Sequence, residues 1–467
     1  MSSSVDGLVS GMSTSSIISQ LMQVEAAPQD RLKTKVKTAQ TTVASYQSVN
    51  SKLSALKSAG TTLGDLATWR SIKATSSSPS VTATAMSSLT SAAGSTTFDV
   101  VQTAAAQVTT TEYAAGSTDI TDGTGVLTVS LGSGDPVTVN LTEDRTPAGI
   151  AAAINSTSGV GVRAGVVTTA SGDSILQISS AKTGVANAFT VNGLSGTGNV
   201  VTAASDAKIR VGSLVDPNDE NSGLTPGSYE VTNSSNTFTN LLSGVNITVT
   251  KKEQNVTIDA QSDVAGIADK MQALVDAANS VLSEVSSQTA YDASTKKGSP
   301  LTGDFMVRNM TQTILGAVSG GLSYDNPDYV KPTDPNDPVE SPENPLKIAF
   351  GSLSKLGIQL DSTGKLSFDA TKFTAAYNED PAAIKKAGVG LGDNFEALAK
   401  KQSDSVTSVI TGRNNEIDNM NSQIENWDSR LAARKLALQK QYTGLETALG
   451  KLKNQSNWLA GQLSGLG

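Results

Sequence analysis

The sequence predicts an α+β multidomain chain: long antiparallel terminal coiled-coil helices forming a leg, a helical stalk, and two β-rich head domains inserted mid-chain. Three observations predict it. Apolar residues recur at alternating steps of three and four over residues 417–466. The same period returns near the N-terminus, over residues 17–63. Between them, residues 71–260 change to the two-residue alternation of strands.

The terminal row runs Ile417, Met420, Ile424, Trp427, Leu431, Leu438, Tyr442, Leu445, Leu449, Leu452, Leu459, Leu463 and Leu466, with Arg434 and Ser456 in two of its places. That is a heptad seam, which one helix cannot bury alone. An eleven-residue step from Leu431 to Tyr442 is a stutter that locally unwinds a supercoil. No proline follows Pro381, so nothing in the row stops the helix.

At the other end, Ser13 or Thr14 can cap a short helix carrying Ile17, Ile18, Leu21 and Met22, which Pro28 is expected to interrupt. A second helix then presents Leu32, Val36, Ala39, Val43, Tyr46, Val49, Leu53, Leu56 and Leu63. The matching periods predict that the two ends pair antiparallel.

After Trp69 the chain is rich in Thr, Ser, Val and Gly. Leu127, Val129 and Leu131 alternate with polar residues before a Gly-Ser-Gly-Asp-Pro turn leads into Val137, Val139 and Leu141. Thr146-Pro147 opens a helix with Ile150 and Ile154, since proline suits the first turn. Strands near 160–167 and 174–180 complete a ββαββ unit inserted in a larger β-domain, whose other strands fall at 96–101, 228–231, 245–250 and 255–260. From Asp263 the helical period resumes through Val264, Ile267, Met271, Leu274, Ala278, Val281 and Val285, with a further helix over 303–318. Residues 325–345 hold six prolines and read as an extended, solvated loop. A hairpin turns at Asp361–Gly364, and Asp380-Pro381 starts the last helix. The predicted division is 1–44 with 435–467 (leg), 45–70 with 262–434 (stalk), 71–112 with 206–261 (β head), and 113–205 (inserted β head).

Composition narrows the function. The chain has 467 residues, room for three or four domains, and a net charge of −8 that offers nucleic acid no basic surface. It has no cysteine and no histidine, which removes disulfides, thiolate or imidazole metal sites, Ser-His-Asp triads and Cys-His pairs. No stretch is long and apolar enough for a membrane span, and the N-terminus lacks the pattern of a cleaved signal. Gly364-Lys365 lacks the rest of a phosphate loop, and Asp216-x-Asn218 and Asp334-x-Asn336-Asp337 lack the glycine and terminal glutamate of a calcium loop. No catalytic, cofactor-binding or metal-ligating residue is assigned, and the chain reads as a non-enzyme.

The order of several motifs resembles the bacterial flagellar filament cap family, hook-associated protein 2. They are Gly7-Leu-Val-Ser-Gly11-Met-Ser-Thr14 with Ile18, Leu21, Met22 and Pro28; Thr97-Phe-Asp-Val-Val-Gln-Thr-Ala104; Leu127–Asn155; Leu301-Thr-Gly-Asp304; Leu356-Gly-Ile-Gln-Leu-Asp361; and Gly364-Lys-Leu-Ser-Phe-Asp369. Ser13 departs from the family, where Asp is more usual, and still serves as a cap. The resemblance implies export through the flagellar type III channel without a cleaved signal. It implies a pentameric ring of this chain at the distal filament tip, outside the cell, where flagellin is retained, folds and inserts. The implied partners are flagellin, further copies of the chain, hook–filament junction proteins and a cytoplasmic export chaperone. The leg residues expected to bind flagellin and neighbouring subunits are Leu8, Ile18, Leu21, Leu32, Val36, Val43, Ile417, Met420, Ile424, Trp427, Leu431, Leu438, Leu445, Leu449, Leu452, Leu459 and Leu463. Two alternatives stay open: another axial component, such as a junction or flagellin-like subunit, or a surface adhesin whose head binds host glycans.

Overall fold

A computed structural model describes residues 11, 13–86, 93–219, 222–333 and 339–464. The chain divides into two compact units, residues 1–65 with 268–467, and residues 66–267. Helices among the described residues are α1 (Thr14–Gly64), α2 (Leu66–Trp69), α3 (Pro147–Ser156), α4 (Val264–Thr289), α5 (Phe305–Ser319), α6 (Ala370–Glu379) and α7 (Pro381–Ser464).

The discontinuous unit is built on α1 and α7. At about 1.5 Å per residue, the 84 residues of α7 extend roughly 125 Å. Pro28 does not interrupt α1, which runs unbroken through it. Proline costs α1 one hydrogen bond to the Val24 carbonyl, but both Val24 and Pro28 face solvent, where water can satisfy that oxygen. Packing on either side, at buried Ile18 and Gln29, holds the helix together across the defect.

Toward its C-terminal end α1 packs on α7 through glycines. A Cβ on Gly392 would stand 2.2 Å from the Gly64 nitrogen and 2.7 Å from the Gly60 oxygen, so the two backbones approach too closely for any side chain. Val49, Leu53, Leu56 and Leu63 are fully buried along this stretch of α1, as are Met271 and Val281 of α4, Met310 and Ile314 of α5, and Phe373 of α6. The 301–304 turn is made by Gly303 at φ +86°, a backbone region that favours glycine. It delivers Asp304 to cap α5, where one carboxylate oxygen accepts from Val307 N at 3.0 Å. The other accepts a short bond from the Tyr46 hydroxyl of α1.

The hairpin Ile358–Leu360 with Leu366–Phe368 forms as read, and Asp361 ties its turn by accepting from the Thr363 and Lys365 amides, so Gly364-Lys365 is a turn and not a phosphate loop. The described residues of the proline-rich stretch between Asp325 and Lys347 form no helix or strand and are mostly exposed. Strands Leu322–Asp325 and Lys347–Gly351 pair at its base, and the Asn344 side chain clasps both the amide and carbonyl of Val330.

In the second unit, a five-stranded antiparallel sheet runs in the order Ile72–Ser76, Glu253–Ser262, Gly94–Gln102, Ala207–Val211, Tyr229–Asn233. A three-stranded sheet of Thr237–Leu242, Val245–Val249 and Val81–Ala85 shares its core through Phe98, Ile209, Val245, Ile247, Val256 and Ile258. The first and last strands are neighbours, Ile72 opposite Ser262, which ties the ends of the unit together. The inserted ββαββ segment forms, but its two hairpins lie in different sheets. Leu127–Leu131 recruits Phe189–Asn192, and Ser174–Ser180 recruits Val108–Tyr113, with α3 packed into the core between them through Ile150 and Ile154.

Candidate partner-binding helices

The residues expected to bind partners lie on α1 and α7, and their surroundings divide them into two sets. Ascending positions on α1 meet descending positions on α7. Arg434 donates to Glu25 at 2.9 Å, Gln29 donates to the Ile424 carbonyl at 3.3 Å and to Asp428 at 2.5 Å, and Ser403 donates to Asn50 at 2.6 Å. The helices are therefore antiparallel.

Val36, Val43, Ile417 and Met420 bury together, with Leu32 and Ile424 packed against them. Ile18 and Leu438 are also buried, while Trp427 and Leu431 are half-buried and Leu21 is exposed. Arg430 stacks over the Trp427 ring at 4.3 Å, a cation–π contact that covers the indole on the solvent side. The exposed Arg434–Glu25 pair contributes little, about 0.2–1 kcal/mol, but explains why an arginine occupies a seam position. Gln29 is 3 % exposed; its amide nitrogen donates across the helix pair while its oxygen accepts from Lys33 of α1, and it sets the register as polar seam residues do. Its place in the seam is invisible in the sequence because glutamine carries no periodic apolar signal.

The first turn of α1 lies opposite Tyr442 and Thr443 of α7. Thr14 and Ser15 line a groove with Ile18, Met22, Tyr442 and Thr443. From Gly444 the seam continues on α7 for about another 30 Å at 1.5 Å per residue. There Leu445 is 45 % exposed, Leu452 60 %, Leu459 55 % and Leu463 66 %, and Leu449 is half-buried. Leu8 lies outside the described residues. Glu446 is buried in the same stretch, so α7 carries a covered length of seam followed by one whose leucines are largely exposed.

Where α1 meets the rest of its unit, the Tyr46 phenol is pushed up to about 12 by burial, then by the hydrogen bond to Asp304 and by that carboxylate's charge, while Arg413 opposes the rise. The folded phenol holds its proton after the unfolded one, at about 10, has lost its own. The stability it contributes is therefore complete below pH 10 and declines as pH rises toward 12. Urea unfolding between those pH values should show this loss in the native chain and a flatter profile in Tyr46→Phe. Identical slopes would remove Tyr46 from the account.

Among the described residues no group of His, Cys, Asp and Glu could hold a metal ion, and no helix is long and apolar enough to cross a membrane. Compared with known families, residues 219–454 match the one described as flagellar hook-associated protein 2 C-terminus, and residues 10–107 match its N-terminus. The flagellar hook-associated protein 2 of Escherichia coli K12 is 26% identical over 98% of this chain and 97% of its own length. The A-type protein of Pseudomonas aeruginosa is 24% identical over 100% and 98%. The Salmonella typhimurium relative is 26% identical over 53% of this chain, which spans about half of that protein's length (51%). The crystal structure of the flagellar cap protein FliD D1-D2-D3 domains from Escherichia coli covers 79% of this chain and 99% of that one, with a TM-score of 0.56 at 23% identity, a likeness of fold.

Proposed function

The chain belongs to the flagellar hook-associated protein 2 family, and on that premise we propose that it caps the growing flagellar filament. In this reading copies of the chain form a ring, pentameric by the family resemblance, at the distal tip outside the cell. The β-rich unit is the plate of the cap, and the α1–α7 pair is the leg that reaches into the open filament end. Flagellin arriving through the channel is held there while it folds and inserts. The cap makes and breaks no covalent bond in doing this. Delivery through the flagellar type III channel, a cytoplasmic chaperone and seating on junction proteins belong to the same proposal, as does the division of the helical unit into leg and stalk near residues 44 and 435.

One observation carries this reading: the α7 seam that α1 buries up to Tyr442 continues, exposed, through Leu445, Leu452, Leu459 and Leu463. An apolar row of that length in a monomer marks a face that is covered in an assembly. Removing the chain from the cell tests the proposal. The expected result is intact hooks, no filament and flagellin monomer in the medium; full-length filaments without the chain would refute it.

A further inference from the structure

Several strand edges of this chain are met by side-chain carboxamides. Strand Val162–Thr168 forms one edge of a four-stranded sheet in the β-rich unit. Ala181 N donates to Gly161 O at 3.0 Å and Thr169 N to Asp173 O at 2.9 Å, so the odd-numbered residues bond inward to the neighbouring strand. The N–H and C=O groups of Ala164, Val166 and Thr168 therefore face outward, where a further strand would pair. At Ala164 that place is taken. Asn155, in the last turn of α3, donates to the Ala164 carbonyl at 2.7 Å and accepts from its amide at 2.9 Å. One carboxamide supplies both hydrogen bonds that a neighbouring strand would offer at that residue.

The arrangement recurs on two other edges. Phe189 is the first residue of strand Phe189–Asn192, at the edge of a three-stranded sheet, and it faces outward because Gly132 N bonds Ala188 O. Gln107 donates to its carbonyl at 2.7 Å and accepts from its amide at 3.0 Å. Leu366, on the outer side of the hairpin with Ile358–Leu360, is held by Asn279 of α4 at 2.8 and 2.9 Å. Other edges are blunted by other means: Asn199–Thr202 and Thr237–Leu242 by register shifts, and Ile72–Ser76 by exposed Lys73.

The guarded segment Val162–Thr168 has the composition of strands that pair edge to edge. It is seven residues long, with three valines, one charge and no proline. With Asn155 in place, the outward row is interrupted at Ala164, and only Val166 and Thr168 are left beyond it.

We propose that Asn155, Gln107 and Asn279 are edge guards, whose carboxamides occupy the place of a next strand and keep these edges from pairing with extended polypeptide. The guards act whether or not the chain caps filaments. Asn344 makes the same clasp on Val330, which belongs to no strand, and so supplies the comparison for a carboxamide that only ties a loop.

The test uses the full chain and a labelled peptide copying residues 162–168. Asn155→Ala removes the carboxamide at an exposed helical position, where alanine is the better helix former, so the variant should stay folded. It should bind the peptide at least about tenfold more tightly than the native chain does, while Asn344→Ala binds no better than native. A folded Asn155→Ala that ignores the peptide overturns the proposal. Equal capture by Asn344→Ala also overturns it, because the effect would then be a general loosening. Hydrogen exchange in the native chain gives a second reading: the Ala164 amide should exchange at least about tenfold more slowly than that of Val166, which faces the same way without a guard. Equal rates at the two would mean that no guard is in place. Should Asn155→Ala not fold, Asn279→Ala with a peptide copying residues 364–369 is read by the same outcomes.

Discussion

Replacing Leu452 and Leu459 together with aspartate should abolish filament growth without unfolding the chain. Both leucines are more than half exposed, so the folded monomer loses little burial by their removal. The covered part of the seam, at Val36, Val43, Ile417 and Met420, is untouched. In the assembly the sign changes. Each leucine buried against a partner contributes about 1.5–3 kcal/mol, and two carboxylates in the same place add a desolvation cost. A loss on the order of 5 kcal/mol weakens binding by more than a thousandfold. The doubly substituted chain, supplied to a strain lacking its own copy, should keep native thermal melting and circular dichroism and restore no filaments. Normal filaments from that strain would mean that the open seam binds nothing of consequence.

The largest effect on stability is expected at Gly392. The Cβ of even an alanine there would meet Gly64 and Gly60 backbone atoms at 2.2–2.7 Å, and backbone cannot move aside without parting α1 from α7. Overpacking of this kind costs about 1–3 kcal/mol and sometimes more. Glycine to alanine within a helix otherwise gains about 1 kcal/mol, so the contact must overcome that gain before any loss appears. Gly412 and Gly444, in the same helix, have nothing within 4 Å of a new Cβ. Gly392→Leu should therefore lose about 3 kcal/mol or more and Gly392→Ala less, while Gly412→Ala and Gly444→Ala should be neutral or stabilising by up to about 1 kcal/mol. Gly64→Ala is a finer comparison, because its nearest obstacle, at 2.5 Å, is the Asp393 carboxylate, a side-chain end that can rotate away. Thermal melts followed by helical circular dichroism rank the set. If Gly392→Ala melts with Gly412→Ala, the close crossing is not a stability determinant.

The helical ends were readable in the sequence because leucine, valine and isoleucine at a fixed three-four step report the buried stripe directly. Val36, Val43, Val49, Leu53, Leu56, Ile417 and Met420 all lie where that period places them, in buried positions. Asp380 caps α7 and Pro381 opens it, as that pair of residues suggests. Pro28 misled because its cost is local and solvent offsets it, whereas the packing that overrides it comes from distant residues of α7. The glycine crossing is hidden in the sequence because glycine leaves no apolar signal, although Gly60 and Gly64, and Gly388 and Gly392, each recur at a step of four.

Strand pairing was legible only within hairpins. That Leu127–Leu131 pairs with Phe189–Asn192 depends on contacts about sixty residues apart in sequence, which no local alternation encodes. The candidate site was half legible for a similar reason. The seam residues could be named from their spacing, but not the point where cover ends. That point depends on the register of α1 on α7, fixed by Gln29 at Ile424 and Asp428.

The location of the chain on assembled flagella is the most direct measure of its role. Gold-labelled antibody against the β-rich unit, residues 66–267, viewed by electron microscopy on intact flagella, should mark the distal end of each filament and nothing along the shaft. Label along the filament would make the chain a filament subunit, and label confined to the hook–filament boundary would make it a junction component; either pattern contradicts the cap.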